Sequence, residues 1–262
     1  MRDFLDEADR HREDGLGRAN AGLKPELPKR FYREAGVAAV EGGFTVTLDG
    51  RPTRTPGQVP VVVPVVELAR LMAEEWALQG ERINAETMPT VRLVNAALES
   101  GDERLQAFRD EVAKYAGSDL LFYRADSPQE LVAEEEAVWD SALVALARRF
   151  GVAFQPTIGI LHQEQPPATL ERLRQAIGGE GLLAMTALVS ITGLTGSGLL
   201  AIGLRHGLFT ADEVWKAAHV DEDYNQRLWG EVEEAAERRA KRRKEFDAAV
   251  RVLALIERPE AT

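Results

Sequence analysis

An uncharged run of 23 residues, from Leu182 to Leu204, constrains the fold of this chain more than any other feature. Its central part, ITGLTGSGLLAIGL, contains all four glycines of the run. Three structures accommodate such a run: a phosphate-binding loop, a membrane-spanning helix, or a pair of buried helices. Each would imply a different function, so the spacing of the glycines has to decide between them.

The glycine spacing disfavours a phosphate-binding loop. A nucleoside triphosphate loop requires a Lys directly after its last glycine, and this run contains no Lys. The dinucleotide fingerprint G-x-G-x-x-G also fails, because Gly198 is followed by Leu199 to Ala201. A membrane span is disfavoured as well, since each glycine inside a helix costs about 1 kcal/mol relative to alanine and no aromatic belt marks the ends of the run.

A pair of buried helices explains the run best. The first helix is predicted to end near Gly193, and Ser197 is predicted to cap a second helix from Gly198 to about Arg205. Gly193, Ser197 and Ala201 are small residues at helical spacing, which would let a neighbouring backbone pack closely against them. We therefore expect the run to anchor the core of a helical region.

The region before the helices shows the alternation that is typical of strands. Phe44, Val46 and Leu48 alternate with polar residues, which indicates a sheet with one solvent-facing side. Gly42-Gly43 and Asp49-Gly50 are predicted to form two-residue hairpin turns, because these residues tolerate positive φ. We expect an antiparallel meander that ends near residue 64.

Helical patterns dominate from residue 65 onward. Apolar residues recur at helical spacing from Val65 to Trp76, and S/T-x-x-E capping boxes begin at Ser100, Ser127 and Thr210. A short strand is predicted within residues 119–124. The last forty residues predict one long helix or two joined helices, with a heptad-like apolar seam from Leu228 to Ile256.

This order, strands first and helices later, predicts an α+β fold. A small antiparallel β-rich N-terminal domain would be followed by an all-helical C-terminal domain. The predicted boundaries place a charged N-terminal arm at residues 1–28, the β-rich domain with flanking helices at residues 29–122, and the helical domain at residues 123–262.

The composition excludes several classes of function. A formal net charge of -11 argues against a dedicated nucleic-acid binder, which is usually basic. The absence of cysteine excludes disulfides, a thiolate nucleophile and Cys-ligated zinc. The acidic N-terminal segment lacks the apolar core of a secretory signal, so a cytoplasmic location is expected.

No sequence pattern marks a catalytic or metal site. The four histidines form no H-x-x-x-H or H-E-x-x-H pattern, and no G-x-S-x-G elbow is present. We therefore expect no catalytic residue, no cofactor and no metal. The basic run RRAKRRK, Arg238 to Lys244, is interpreted as a solvated helix face, because Glu234 and Glu237 lie four residues before Arg238 and Lys241. Binding of an acidic partner surface or of nucleic acid through this run is the alternative interpretation.

Four phrases of the sequence, taken in order, resemble a known protein family. They are KRFYREAGVAAVEGGFTVTLDGRPTRTP (residues 29–56), EEWALQGERINAETMP (residues 74–89), YAGSDLLFYRA (residues 115–125) and WGEVEEA (residues 229–235). In this order and spacing the chain resembles the assembly chaperones of the F-type ATP synthase alpha subunit. The resemblance extends from residue 29 to about residue 240.

The resemblance implies a chaperone without enzymatic activity. Such a protein transiently binds the unassembled alpha subunit and shields the surface that the beta subunit later covers. We further expect no nucleic-acid partner, no membrane insertion and a monomeric free protein. Within the matching phrases, Trp229, Glu231 and Glu233 are candidate partner-binding residues. Trp76 is a weaker candidate, because an aromatic side chain that packs a helix on the sheet is the simpler interpretation.

A second hypothesis comes from a different class of function. With two domains predicted, a cleft between them would offer a site for an enzyme that acts on an anionic metabolite. Tight stoichiometric binding of nucleotides or phosphate compounds would favour this alternative over the chaperone.

Overall fold

The computed structural model describes residues 26–258. It begins with a three-stranded antiparallel sheet of β1 (Ala35–Val40), β2 (Gly43–Leu48) and β3 (Arg51–Pro52), in that order. Leu48 pairs with Arg51, so Asp49 and Gly50 form the second hairpin turn as predicted. Their φ values of 47° and 76° are both positive, which suits the twist of a two-residue hairpin.

The first hairpin turn lies one residue earlier than predicted. Val40 pairs with Gly43, so the two turn residues are Glu41 and Gly42. Gly43 begins β2 instead, where a side chain has no room: an added Cβ would lie 2.3 Å from the carbonyl oxygen of Val63. An isolated bridge of Phe44 with Val63 continues the antiparallel pairing close to the predicted end of the meander.

Helices form most of the rest of the described chain. They are α1 (Val66–Ala77), α2 (Pro89–Ser100), α3 (Leu105–Gly117), α4 (Gln129–Glu135), α5 (Ser141–Phe150), α6 (Pro167–Ala176), α7 (Leu182–Thr195), α8 (Gly198–Arg205), α9 (Ala211–Ala217), α10 (Val220–Trp229) and α11 (Glu233–Leu255). One π-helical turn, Glu136–Asp140, joins α4 to α5. The predicted α+β class is confirmed.

A short strand follows α3, in the region where the sequence predicts one. Residues 120–122 form a 3-10 turn, and β4 (Tyr123–Arg124) pairs in parallel with β5 (Thr157–Ile158). β5 belongs to the loop between α5 and α6. This pair adds a two-stranded sheet, with two residues in each strand, to the helical region.

Most of the buried apolar side chains form one continuous cluster that extends from Tyr32 to Leu253. α1 packs on β1 and β2, α2 and α3 pack on α7, and α11 packs on both α7 and α2. The predicted domain boundary at residue 122 stays a prediction, and the predicted arm lies largely outside the described residues. Among the helices of residues 26–258, none is both long and apolar enough to cross a membrane.

The uncharged run forms two helices joined by a tight turn. α7 ends at Thr195, and Gly196 follows it in the left-handed conformation with φ of 72°. The first helix therefore continues past the predicted end at Gly193, because the residue that adopts the left-handed cap is Gly196. Most side chains of the run are buried, so the prediction of a buried helix pair is confirmed.

The N-terminus of α8 is capped by two side chains. The hydroxyl of Ser197 accepts the backbone N–H of Leu200 at 2.9 Å, as predicted. The carboxylate of Asp119 is fully buried; its two oxygens accept the backbone N–H groups of Leu199 at 2.9 Å and Leu121 at 3.3 Å. The glycine-rich turn thus presents the backbone N–H of Leu199 to an internal carboxyl group, whereas a phosphate loop presents such donors to a bound anion.

The burial of Asp119 predicts a specific pH dependence of stability. Burial raises the pKa of Asp119 to about 7 from 3.8, against the lowering effect of the N–H donors. Between these values the folded state binds more protons than the unfolded state, so this residue's contribution to the free energy of unfolding falls as pH rises. We expect a slope of about 1 kcal/mol per pH unit between pH ~5 and ~7, measured by urea denaturation.

The matched variant for this prediction is Asp119→Asn. It is expected to lose overall stability, because one amide nitrogen would face a backbone donor, and to lose this component of the pH dependence. Equal slopes for the wild type and the variant across that range would contradict the prediction.

Of the three predicted capping boxes, the one at Thr210 forms. The other two predictions are wrong. Ser100 is the last residue of α2, and its hydroxyl donates to the carbonyl oxygen of Ala96. At the second position Pro128 is the N-cap and Ser127 makes no cap hydrogen bond. A serine hydroxyl can bond to a preceding carbonyl as readily as to a following N–H group, so the spacing alone does not specify a cap.

Candidate partner-binding surface

The first of the four family-like phrases is explained by contacts within the chain. The guanidinium of Arg30 donates to the carbonyl oxygen of Gln79 at 2.5 Å, just after α1. One carboxylate oxygen of Asp49 accepts the backbone N–H groups of Arg33 and Glu34, both at 2.9 Å, and these bonds lower the pKa of Asp49. Both side chains fasten the N-terminal segment to the sheet and to α1.

In the second phrase, a structural role explains the acidic residue Glu75. The carboxylate of Glu75 accepts the backbone N–H groups of Thr90 and Val91, both at 2.9 Å, and so caps the N-terminus of α2. In the third phrase, Asp119 caps α8 from the interior. These contacts explain one carboxylate in each of the first three phrases without any partner.

Trp76 lies apart from the other candidate residues. Its half-buried ring packs edge-on against Tyr32, with ring centroids 5.6 Å apart, and its carbonyl oxygen accepts the Tyr32 hydroxyl at 2.6 Å. It lines a groove with residues of the N-terminal sheet, whereas Trp229 lines a different groove. A role for Trp76 in packing α1 accounts for this placement.

The fourth phrase is different, because its large apolar side chains and the leucine that precedes it face solvent. Leu228, Trp229 and Val232 expose 56, 84 and 65 % of their surface, and together they are termed the Trp229 patch. α10 ends at Trp229, and Gly230 turns the chain with φ of 84° before α11 begins. The patch is therefore a short apolar corner between two helices.

Two acidic side chains flank this corner, and three arginines line the groove beside it. Glu231 lies in the turn and Glu233 begins α11, and both are exposed. Among residues 26–258, neighbouring Glu234 pairs with Arg238 at 3.8 Å, whereas Glu231 and Glu233 have no ion-pair partner. Glu233 is also favoured by the dipole at the helix N-terminus, but Glu231 has no such structural reason to be acidic. The corner thus combines exposed apolar area with unpaired negative charge.

A groove of about 560 Å³ lies beside the patch, between α10 and α11. Two ion pairs cross from one helix to the other: Asp223 with Arg239 at 2.5 Å, and Glu222 with Arg242 at 3.8 Å. At the start of α10, His219 is buried and its Nδ1 donates to the carbonyl oxygen of Trp215 at 2.7 Å. Burial lowers the pKa of His219, so its ring is neutral at neutral pH. The two ion pairs connect the walls of the groove.

The basic run on α11 is largely occupied by contacts within the chain. The expected pair of Glu234 with Arg238 forms, but Lys241 pairs with Glu86 at 3.4 Å and not with Glu237. Arg239, Arg242 and Arg243 pair with acidic residues of α10 and α9. The run therefore connects α11 to its neighbours, which its interpretation as a solvated helix face did not anticipate.

Comparisons with known proteins identify the family. A family model described as ATP12 chaperone protein matches residues 29–147. The solved structure of Atp12 from Paracoccus denitrificans is 32 % identical, with a TM-score of 0.80, and the match covers 87 % of this chain and 98 % of that one. The chain belongs to the ATP12 chaperone family. This confirms the resemblance to ATP synthase assembly chaperones that the four phrases carry.

Further relatives of this ATP12-family chain span most of its length. The Atu1473 protein from Agrobacterium tumefaciens is 40 % identical, with a TM-score of 0.84, over 92 % of this chain and 91 % of that one. The mitochondrial protein atp12 from Schizosaccharomyces pombe is 22 % identical over 232 residues, which cover 84 % of this chain and 80 % of that protein.

Of the residues that the sequence singles out in this ATP12-family chain, Trp229, Glu231 and Glu233 come together at one corner. The sequence also places Leu228 and Val232 in the heptad-like apolar seam, which breaks at Gly230 between α10 and α11. Leu228 and Val232 lie at this break and face solvent, whereas Phe246 and Leu253 further along the seam are buried. A W-G pair between two helical patterns is the signal that points to this break.

One groove of the helical region bears on the alternative hypothesis of an enzyme that acts on an anionic metabolite. A groove of about 550 Å³ lies between α1, α2 and α11. Five carboxylates and three cations line it, namely Glu74, Glu75, Glu86, Glu237, Glu245, Lys241, Lys244 and Arg251. Its acidic balance disfavours an anionic ligand. Within residues 26–258 no group of three His, Asp or Glu side chains is arranged to hold a metal ion.

Proposed function

We propose that this chain is a cytoplasmic assembly chaperone that binds the unassembled alpha subunit of F-type ATP synthase through the Trp229 patch. It is not an enzyme in this proposal: it shields the interface of the alpha subunit until the catalytic head is built. The observation that carries the proposal is the patch itself, three large apolar side chains that are 56 to 84 % exposed where the fourth family-like phrase begins.

The chemistry of the patch fits this role. A subunit that awaits its partners exposes apolar surface and is prone to aggregate. An exposed tryptophan beside a preformed groove offers the kind of aromatic anchor that dominates many protein interfaces. The acidic residues around it favour a partner surface whose apolar area is flanked by basic residues.

The first test removes the aromatic anchor. Trp229→Ala is expected to weaken binding of purified alpha subunit at least about tenfold, because truncation of an interface anchor typically costs about 2 kcal/mol or more. The measurement is a titration by calorimetry or biolayer interferometry. Leu78→Ala is the matched control, since Leu78 is also 84 % exposed but lies at the end of α1. This control should bind like the wild type.

Charge reversal in the same assay separates apolar from electrostatic contributions. Glu231→Lys and Glu233→Lys are each expected to slow association and to weaken capture, with folding unchanged. Glu41→Lys, in the exposed first hairpin turn, is the control for net charge. If the Trp229 variant and both Glu variants capture the alpha subunit as well as the wild type does, the patch is not part of the interface. If the wild type enriches the beta subunit over the alpha subunit, the alpha subunit is not its client.

A further inference from the structure

A second exposed apolar feature lies in the loop between α5 and α6. Ile158, Ile160 and Leu161 expose 71, 93 and 79 % of their surface, and these three residues are termed the Ile160 tip. Residues 155–165 contain one acidic residue and no Lys or Arg, in a chain whose net charge is -11. A loop that only joined two helices would gain solubility from polar residues at these positions.

The base of this loop is held by hydrogen bonds. Gln165 is 5 % exposed; its side-chain oxygen accepts the backbone N–H of Gln155 at 2.9 Å, and its nitrogen donates to the carbonyl oxygen of Gln155 at 3.0 Å. Gly159 donates its N–H to the carbonyl oxygen of Arg124 at 2.8 Å, which ties the loop to β4. Because the base is ordered, little conformational freedom is lost when the tip binds.

A short series of direct contacts connects the tip to the Trp229 patch. β5 pairs with β4, and the next residue, Ala125, donates its backbone N–H to the carboxylate of Glu135 on α4 at 2.8 Å. The adjacent Glu134 forms an ion pair with Arg227, two residues before Trp229 on α10. The two apolar features are therefore linked through the contacts of β5, β4, α4 and α10.

The small size of the tip limits the kind of interface that it can form. Stable interfaces bury about 1,200–2,000 Å² in total, and three side chains cannot supply that area for self-association. A small uncharged anchor adds affinity when its partner is already held nearby, since the second contact then forms at high effective concentration.

We propose that the Ile160 tip is a second docking element, which inserts into an uncharged apolar depression of the client subunit held at the Trp229 patch. The inference rests on the proposed function, because the client is the alpha subunit named there. Glu231 and Glu233 supply acidic contacts beside the Trp229 patch, whereas the tip is uncharged, so the two features contact different parts of the client surface.

The test compares full-length wild type with the double variant Ile160→Ser/Leu161→Ser for binding to purified alpha subunit. We expect at least a tenfold weaker affinity, mainly through faster dissociation, with the melting temperature unchanged because neither side chain is buried. Leu78→Ser controls for loss of an exposed apolar side chain elsewhere.

The possible outcomes separate the two proposals. Equal affinity of wild type and tip variant for the alpha subunit overturns the second docking element but leaves the first proposal standing. Failure of the wild type to bind the alpha subunit overturns both. Flotation of the wild type, but not the tip variant, with phosphatidylcholine vesicles would assign the tip to a lipid surface. A wild-type dimer that the tip substitutions convert to monomer in sedimentation would assign it to a second copy. Either result overturns the proposal.

Discussion

Replacing Gly198 with leucine is expected to destabilise the protein by more than about 4 kcal/mol, the range reached only by severe packing defects. The site has no room even for a methyl group. An added Cβ would lie 2.4 Å from the carbonyl oxygen of Val112 and 2.7 Å from the backbone nitrogen of Ala116. Both atoms belong to the backbone of α3, so relief requires α3 and α8 to separate.

The same motif supplies the control. Gly193 is exposed within α7, and an added Cβ there would meet no atom within 4 Å. Gly193→Ala is therefore expected to be neutral or to stabilise the helix by up to about 1 kcal/mol. Thermal and urea unfolding of both variants, with Gly198→Ala as the milder substitution, checks the contrast. An unchanged melting temperature for Gly198→Leu would refute the close approach of the two helices.

Arg205→Met is expected to cost about 3–5 kcal/mol, because it leaves a buried carboxylate without its counter-ion. The guanidinium binds Glu180 through two hydrogen bonds of 2.6 and 2.7 Å, and the two side chains are 5 and 2 % exposed. It also donates to the carbonyl oxygens of Leu253 and Ile256, both at 2.8 Å, at the end of α11. The substitution thus removes both an ion pair and a helix C-cap.

Two further variants test this explanation by chemical denaturation. Adding Glu180→Met to Arg205→Met should restore part of the lost stability, since the pair is then replaced by apolar side chains. Arg70→Met removes an exposed partner of Glu67, 3.7 Å away, and should change stability by less than about 0.5 kcal/mol. If the double variant is no more stable than Arg205→Met, the uncompensated charge is not the cause of the loss.

Local sequence patterns were sufficient to predict turns and helix caps whose hydrogen bonds join residues close together in the sequence. The turn at Asp49-Gly50 requires positive φ, and the cap at Ser197 satisfies an N–H three residues later, so both follow from neighbouring residues alone. The capping boxes at Ser100 and Ser127 mark the limit of this reasoning. There a serine had another acceptor or a proline took its place, and the spacing did not reveal it.

The candidate site shows the same limit at a larger scale. The W-G-x-V-E phrase pointed to Trp229, Glu231 and Glu233 as candidates, but the exposure of Leu228 and Val232 depends on where α10 ends relative to the core. A seam of apolar residues has the same spacing whether a neighbouring helix covers it or not. The basic run of α11 behaves likewise, since its partners lie on α9, α10 and the segment before α2.

By itself the sequence determined the α+β order of the chain, the buried helix pair in its uncharged run, and the resemblance to ATP synthase assembly chaperones. These depend on composition, on periodicity and on phrases whose residues are neighbours along the chain. Only the tertiary structure decided that the carboxyl group of Asp119, 80 residues away from Leu199, is the acceptor that the glycine-rich turn binds. It also decided that Gly198 and not Gly193 is the close contact, because clashes and buried charges arise between segments that the order of residues does not bring together.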